Sequence, residues 1–345
     1  MQTIFFYFLI VALGLASTGI SPTAVVADEF YKGKTVRLIV GYAAGGGYDT
    51  YARAIARHVG KHIPGNPTLI VENMDGASSL LSANYLYSKG ESNGLTMGSW
   101  NANLTTQQAL GGRAVRFDAR KFGWIGAPAK GQNVCAIMGF TGLKNLHDIM
   151  ASKKEIKLGG TRPGAGTDDF PKLMNVLAGT KFNVISGYTG TAPIRIAMQR
   201  REVEGACWTW DSMRVTARPM LDAKGDDRLI PFIIQGKFPD PEVKDLPQFT
   251  DVIKGEENLA AFKAYVRPYE FQRPLTVPPN TPKDRLTTLR RAFKATMEDR
   301  EFLAEAEKSK LLIEYSSGEE IEKYVEEILS ISPGAKEKLQ FLTAR

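Results

Sequence analysis

The chain has 345 residues, a formal net charge of +7, two cysteines and three histidines. That length allows two domains of ordinary size, each able to bury its own core. The Lys and Arg residues are scattered, with no basic stripe interleaved with aromatics, which argues against a nucleic-acid surface. The few Cys and His residues show no Cys-x-x-Cys and no metal set, so no metal site is expected.

Residues 4 to 16 (IFFYFLIVALGLA) form an apolar run too short for a bilayer span, which needs about 20 residues. Val25 and Ala27 supply the small residues of a cleavage site, so residues 1–27 are expected to be a signal peptide, although Met1 to Thr3 contains no Lys or Arg. No cysteine follows closely enough to carry a lipid, and a free, soluble chain in the periplasm is expected from Asp28 onward. Residues 1–27 are uncharged, so the whole net charge falls on the mature part, where it modestly attracts anionic ligands.

From there the chain alternates strand-like and helix-like segments, the pattern of parallel sheets with helices on their faces. VRLIVGY (36–42), TLIVENM (68–74) and LTMGSW (95–100) are predicted strands, and Ile55, Val59 and Ile63 mark one apolar helix face. FGWIGAP (122–128) leads out of this first unit. A second set follows in NVCAIMGF, IKLGGT, FNVISGY, VEGACWTW and LIPFIIQG, with helices near 146–152, 170–178 and 192–199. Thr281-Pro282-Lys283-Asp284 and Ser317-Gly318-Glu319-Glu320 each predict a capped helix start. The organisation expected is an α/β chain of two doubly wound lobes joined by a two-crossover hinge: lobe I from 28–128 and 245–345, lobe II from 129–244.

The strand at 36–42 runs straight into Gly45, Gly46 and Gly47 and then a helix start containing Asp49. Backbone N–H groups and the helix dipole make such a point a place for an anion. A dinucleotide is one reading, with Glu72 placed as the ribose acid, but a G-x-G-x-x-G frame from Gly45 has Thr50 in its last slot. Asp49 is expected to organise the loop or cap the helix rather than act as a base. No nucleophile shows its base: there is no G-x-S-x-G, and His58, His62 and His147 lie outside the glycine turn. A binding protein without catalysis or cofactor is therefore the first reading, and an α/β enzyme holding a phosphate or dinucleotide at Gly45–Gly47 the alternative. His58 and His62, four apart on a helix, have a zinc-compatible spacing but no visible third ligand, so a solvated face is expected.

VRLIVGYAAGGGYDTYARAIARHVG, LIVENMDGASS, SNGLTMGSWN, GGTRPGAGTDDF, VISGYTGTAPIRIAMQRREVEGACWTWDS and PLTVPPNTPKDRLTTLRRAF, in this order and spacing, resemble the substrate-binding proteins of tripartite tricarboxylate transporters, the Bug or TctC family. The resemblance implies a type II periplasmic binding protein that holds a small organic acid between two hinged lobes, works as a monomer and presents the acid to integral membrane permease subunits. It carries the ligand contacts onto Tyr42, Gly45, Gly46, Gly47 and Asp49, onto Gly76, Ala77 and Ser78, and onto Trp100 and Asn101. From the second lobe it implies Thr161, Gly164, Ala165, Gly166 and Thr167, then Tyr188, Thr189 and Gly190, with Trp210 and Asp211 at the lobe interface.

This chain departs from the family pattern at Gly41-Tyr42-Ala43-Ala44, where a proline is usual, at Ser78-Ser79 in place of a glycine pair, and at Phe170 in place of a histidine. Trp100, Trp208 and Trp210 would suit an aromatic or longer acid if they reached the cleft; burial in the lobe cores is the other reading. Cys135 and Cys207 lie in apolar strand-like runs. The residues favour two buried thiols, and an exported chain also permits a disulfide.

Overall fold

The computed structural model describes residues 30–343 apart from Pro239, so the predicted signal peptide lies outside the described residues. Among the described residues, eleven strands form two sheets. In chain order they are β1 (Thr35–Val40), β2 (Thr68–Asn73), β3 (Thr96–Ser99), β4 (Gly123–Ala127), β5 (Asn133–Met138), β6 (Ile156–Gly159), β7 (Phe182–Ile185), β8 (Gly205–Thr209), β9 (Leu229–Ile234), β10 (Leu275–Val277) and β11 (Ser316–Ser317). The first sheet runs β11-β4-β10-β3-β1-β2 and the second β7-β6-β8-β5-β9.

Both sheets are mixed, which corrects the expectation of parallel sheets. β1 is parallel to β2 and β3, and β6 to β7 and β8, whereas β10 opposes β3 and β4, and β5 opposes β8 and β9. The strands that run backwards are β5, which enters the second sheet, and β10 and β11 after the return to the first. Hydrophobic periodicity reports only that a strand is buried on both faces, which holds for either direction.

Burial on both faces explains the continuous apolar strands. Val36, Leu38 and Val40 pack with Ile55 and Val59 of the Gly47–Val59 helix, while Ile39 turns to the opposite cluster with Trp100 and Trp124. In β5, Cys135 and Ile137 meet Phe170 and Leu173 of the Gly166–Ala178 helix, and Val134, Ala136 and Met138 meet Ile194 and Met198 of the Thr191–Gln199 helix. Each fully buried Val, Leu or Ile contributes roughly 1.5–3 kcal/mol. Cys135 and Cys207 sit opposite each other on β5 and β8 and are disulfide-bonded, so the expectation of two free thiols is corrected. The sequence separates them by 72 residues, and only strand pairing brings them together.

The capping box at Ser317 and Glu320 forms, and Ile321, Val325 and Ile328 behind it pack on the first sheet. At the other predicted start, Thr281 is not the cap: its hydroxyl donates to the Pro278 carbonyl, and the helix begins at Lys283 after Pro282. The helices Glu256–Val266 and Pro333–Leu339, both within the 245–345 segment expected in lobe I, join the apolar cluster of the second sheet.

Between strands the chain passes from sheet to sheet twice, after β4 and before β10, and the Pro333–Leu339 helix returns to the second sheet's cluster. The two passages touch: Gln272 N–H donates to the Ala129 carbonyl at 2.8 Å and Gly131 N–H to that of Tyr269 at 2.9 Å.

Candidate functional site

The carboxyl ends of β1, β6, β7 and β8 point at one region, and a cavity of about 270 Å³ lies there. Ligands of α/β sheets occupy such positions because the helix that follows each strand starts there. Three of the longer helices begin at its wall: Gly47–Val59, Gly166–Ala178 and Thr191–Gln199. Their N-cap residues are Gly46, Ala165 and Gly190, and none makes a side-chain capping hydrogen bond. A helix start leaves up to four backbone N–H groups without intrahelical partners and carries about half a positive charge. Three such ends around one cavity turn backbone N–H donors toward it.

Local sequence explains how the ends are held open. Gly45 has φ of +78°, a left-handed conformation that favours glycine. Its N–H donates to Asp49 Oδ2 at 2.9 Å, and Asp49 also accepts from Arg53 Nε and from Asn73 Nδ2. Burial opposes ionisation of Asp49, but these hydrogen bonds outweigh it and hold the carboxyl below its ordinary range. Asp49 thus organises the turn from behind and does not line the cavity. In the second loop, Thr161 N–H donates to Thr167 Oγ1 at 3.1 Å, and Asp169 accepts the Gly164 N–H at 3.0 Å. Gly166 has no room for a side chain, since a Cβ would lie 2.7 Å from the Asn133 amide and 2.8 Å from the Tyr269 hydroxyl.

Of the residues predicted from sequence, Tyr42, Gly45, Gly46, Gly47, Asn101, Thr161, Ala165, Gly166, Thr167, Thr189 and Gly190 line this cavity. Gly76, Ala77, Ser78, Trp100, Gly164, Tyr188, Trp210 and Asp211 do not. The Gly76–Ser79 loop acts one step back: Ser79 Oγ accepts the Asn101 N–H at 2.7 Å, and Asn101 Nδ2 in turn donates to the Gly164 carbonyl at 3.1 Å. Ala77, Ser78 and Ser79 all have positive φ, the conformation that a glycine pair would adopt without strain.

The aromatic residues are mostly core. Trp100 is 1% exposed, packed in tilted ring contacts with Phe117, Phe122 and Trp124, and its indole N–H donates to Thr276. Trp210 and Phe170 are buried in the two clusters of the second sheet, and Tyr188 packs against one of them. Trp208 alone of the three cleft candidates reaches the cavity, where its buried indole N–H has no hydrogen-bond partner in the protein.

Several lining residues carried no signal in the sequence. Asn103, Asn133, Tyr269, Gln272, Ser212, Arg195 and Arg273 reach the cavity from the strand ends, the crossover and two helices. Arg273, on the crossover into β10, is almost fully buried, makes an ion pair with Asp211 and lies 4.4 Å from the Tyr51 ring centroid and 5.5 Å from that of Tyr48. Burial opposes its charge, and the Asp211 carboxylate more than compensates, raising its pKa. Its Nε and Nη1 have no hydrogen-bond partner in the protein. Burial raises the pKa of Tyr269 to about 12, so its hydroxyl is neutral and receives the Asn103 amide N–H at 2.9 Å.

Glu72, the acid that a dinucleotide reading would place on a ribose, instead pairs with Arg37 through two hydrogen bonds of 2.8 and 2.7 Å. His58 and His62 meet Glu305 and Asp299 at 2.8 and 2.9 Å, carboxylates that the sequence reading did not bring near them. Arg57 and Lys61 already pair with the same carboxylates.

No family model matches the chain. It is 26% identical over 202 residues to a UPF0065 protein from the TAR-I ttuE-ttuC' intergenic region of Agrobacterium vitis, a match that spans 56% of each chain. Solved structures share the fold over nearly their whole length. A TctC solute binding protein from Polaromonas superposes with a TM-score of 0.62 at 18% identity, covering 90% of this chain and 98% of its own. MatC from Rhodopseudomonas palustris, with bound malate, gives 0.68 at 19% identity, covering 89% and 99%. The periplasmic binding protein BugD gives 0.68 at 19%, covering 90% and 98%. The chain has the two-lobed fold of the TctC and Bug solute-binding proteins, the family that its sequence resembles.

Proposed function

We propose that this protein is an extracytoplasmic solute-binding protein that captures an organic carboxylate between two lobes and delivers it to the membrane permease subunits of a tripartite tricarboxylate-type transporter. The observation that carries the reading is the convergence of three helix starts, capped by Gly46, Ala165 and Gly190 without capping side chains, on one cavity between the sheets. Hydrogen bonds to a charged group contribute about 1.5–3 kcal/mol each. A micromolar solute needs about 8 kcal/mol, so three or four such bonds suffice before ordering costs.

The touching crossovers at Ala129 and Gln272 act as the hinge, and closing it brings the glycine turn toward the Gly166 and Thr191 helix starts. The site residues are those that line the cavity, with Asp49, Ser79 and Asp211 supporting them from behind. Binding without catalysis fits the lining, which pairs no nucleophile with a base: all three histidines lie elsewhere. A periplasmic location after cleavage near Ala27 fits the fold of BugD, and no helix among the described residues is long and apolar enough to cross a membrane.

Thermal melts of the mature protein with mono-, di- and tricarboxylates test this reading. At least one acid is expected to raise the melting temperature, by an amount equivalent to about 2.7 kcal/mol at a hundredfold excess over its Kd. No shift with any acid, alongside stabilisation by a neutral sugar or a cation, overturns it.

A further inference from the structure

The cavity lining is uneven in charge. Arg195 and Arg273 line it, and no Asp, Glu, Lys or His does. The Arg273 charge is matched by Asp211 behind it. Arg195 is different. It sits one turn into the Thr191–Gln199 helix, is half-buried, and makes a single long hydrogen bond, from Nη1 to Thr191 Oγ1 at 3.5 Å. The acids at the neighbouring helix starts are engaged elsewhere: Asp49 with Arg53, Asp168 with Lys172 and Ser186, and Asp169 with the Gly164 N–H. Among the described residues no carboxylate lies within ion-pair distance of Arg195. Burial accordingly lowers its pKa with no acid to offset it.

We propose that Arg195 is the charge-selecting residue of this site, and that an anionic group of the bound solute serves as its counter-ion. This rests on the carboxylate-binding reading above and adds to it: helix starts receive any electron-rich group, whereas a half-buried guanidinium without a counter-ion penalises every neutral solute and rewards an anion. The fork of a guanidinium also holds a carboxylate in one orientation, which an ammonium does not. Arg195 therefore sets both charge preference and pose at the Thr191 side of the cavity.

Titration calorimetry with succinate, malate, adipate and benzoate, and with succinamide and adipamide as neutral counterparts, tests the assignment on wild type, Arg195→Gln, Arg195→Lys and Arg200→Gln. The acid that binds wild type is expected to lose at least about tenfold in affinity in Arg195→Gln, to regain part of it in Arg195→Lys, and to bind Arg200→Gln normally, since Arg200 is exposed just past the far end of the same helix. Raising the salt concentration should weaken wild type more steeply than Arg195→Gln. Unchanged affinity and salt dependence in both Arg195 variants, with an acid still bound, overturn this inference and leave the carboxylate-binding reading standing. Failure of every acid to bind wild type overturns both.

Discussion

Arg273 and Asp211 form an ion pair between the two sheets. Arg273 lies two residues before β10 of the first, and Asp211 in the first turn after β8 of the second, with side chains 4% and 0% exposed. Ser212 and Gly47 crowd the same point, since a Cβ on Gly47 would lie 3.3 Å from Arg273 Nη2 and 3.4 Å from Ser212 Oγ. The pair couples the crossover, the glycine turn and the second-sheet helix.

Removing one partner leaves an uncompensated buried charge. Arg273→Met and Asp211→Leu are each expected to cost about 3–5 kcal/mol, and the double variant clearly less than their sum. Urea denaturation of the three variants measures this. Losses under about 1 kcal/mol in both single variants would show that the pair is not buried in solution.

Gly46 and Gly190 both have extended backbone that any residue adopts, and a Cβ would meet only the Ala43 carbonyl at 3.5 Å near Gly46 and nothing within 4 Å at Gly190. Aspartate at either position would cap its helix, a gain of a few tenths of a kcal/mol over glycine. The same carboxylate would take the N–H groups assigned to the solute. Gly46→Asp and Gly190→Asp should therefore melt no lower than wild type and bind a carboxylate at least about tenfold more weakly. Calorimetry beside thermal melts separates the two effects, and unimpaired binding in both variants would remove the helix starts from the site.

Asp169 supplies a pH dependence. Burial raises its pKa well above the ordinary carboxylate value, only partly opposed by the Gly164 N–H, with Asp168 adding to the rise. A raised folded-state pKa means that the folded protein keeps the proton longer than the unfolded chain. The associated stability is complete below the unfolded value of about 4 and is lost as pH rises through the folded value. Asp169→Asn keeps an acceptor for Gly164 but cannot ionise, so its melting temperature should match wild type near pH 4 and exceed it increasingly toward neutral pH. Parallel melting curves over pH would contradict this.

Much of the architecture was legible because it depends on local signals. The strand at Val36–Val40, the glycine turn and the helix bearing Ile55 and Val59 are written as consecutive periodicities, and the Ser317–Glu320 box closes within three residues. The capping reading failed at Thr281 because the neighbouring Pro278 carbonyl competes for that hydroxyl. The family resemblance carried Trp100 and Trp210 into the cleft, yet each directly follows a strand and packs its indole into a core cluster.

By itself the sequence determined that backbone N–H groups would gather at Gly45–Gly47, since strand, glycine turn and helix start are neighbours along the chain. Only the tertiary structure decided the charged and polar side chains that complete the wall. Arg195, Arg273, Asn133 and Tyr269 come from a helix, a crossover, a strand and a second point on that crossover. Nothing in the local pattern distinguishes Arg273, buried against Asp211, from the chain's many exposed arginines. The distinction arises from the packing of two sheets, which removes water from some positions and not others. The Cys135–Cys207 disulfide arises likewise, from the register of β5 against β8.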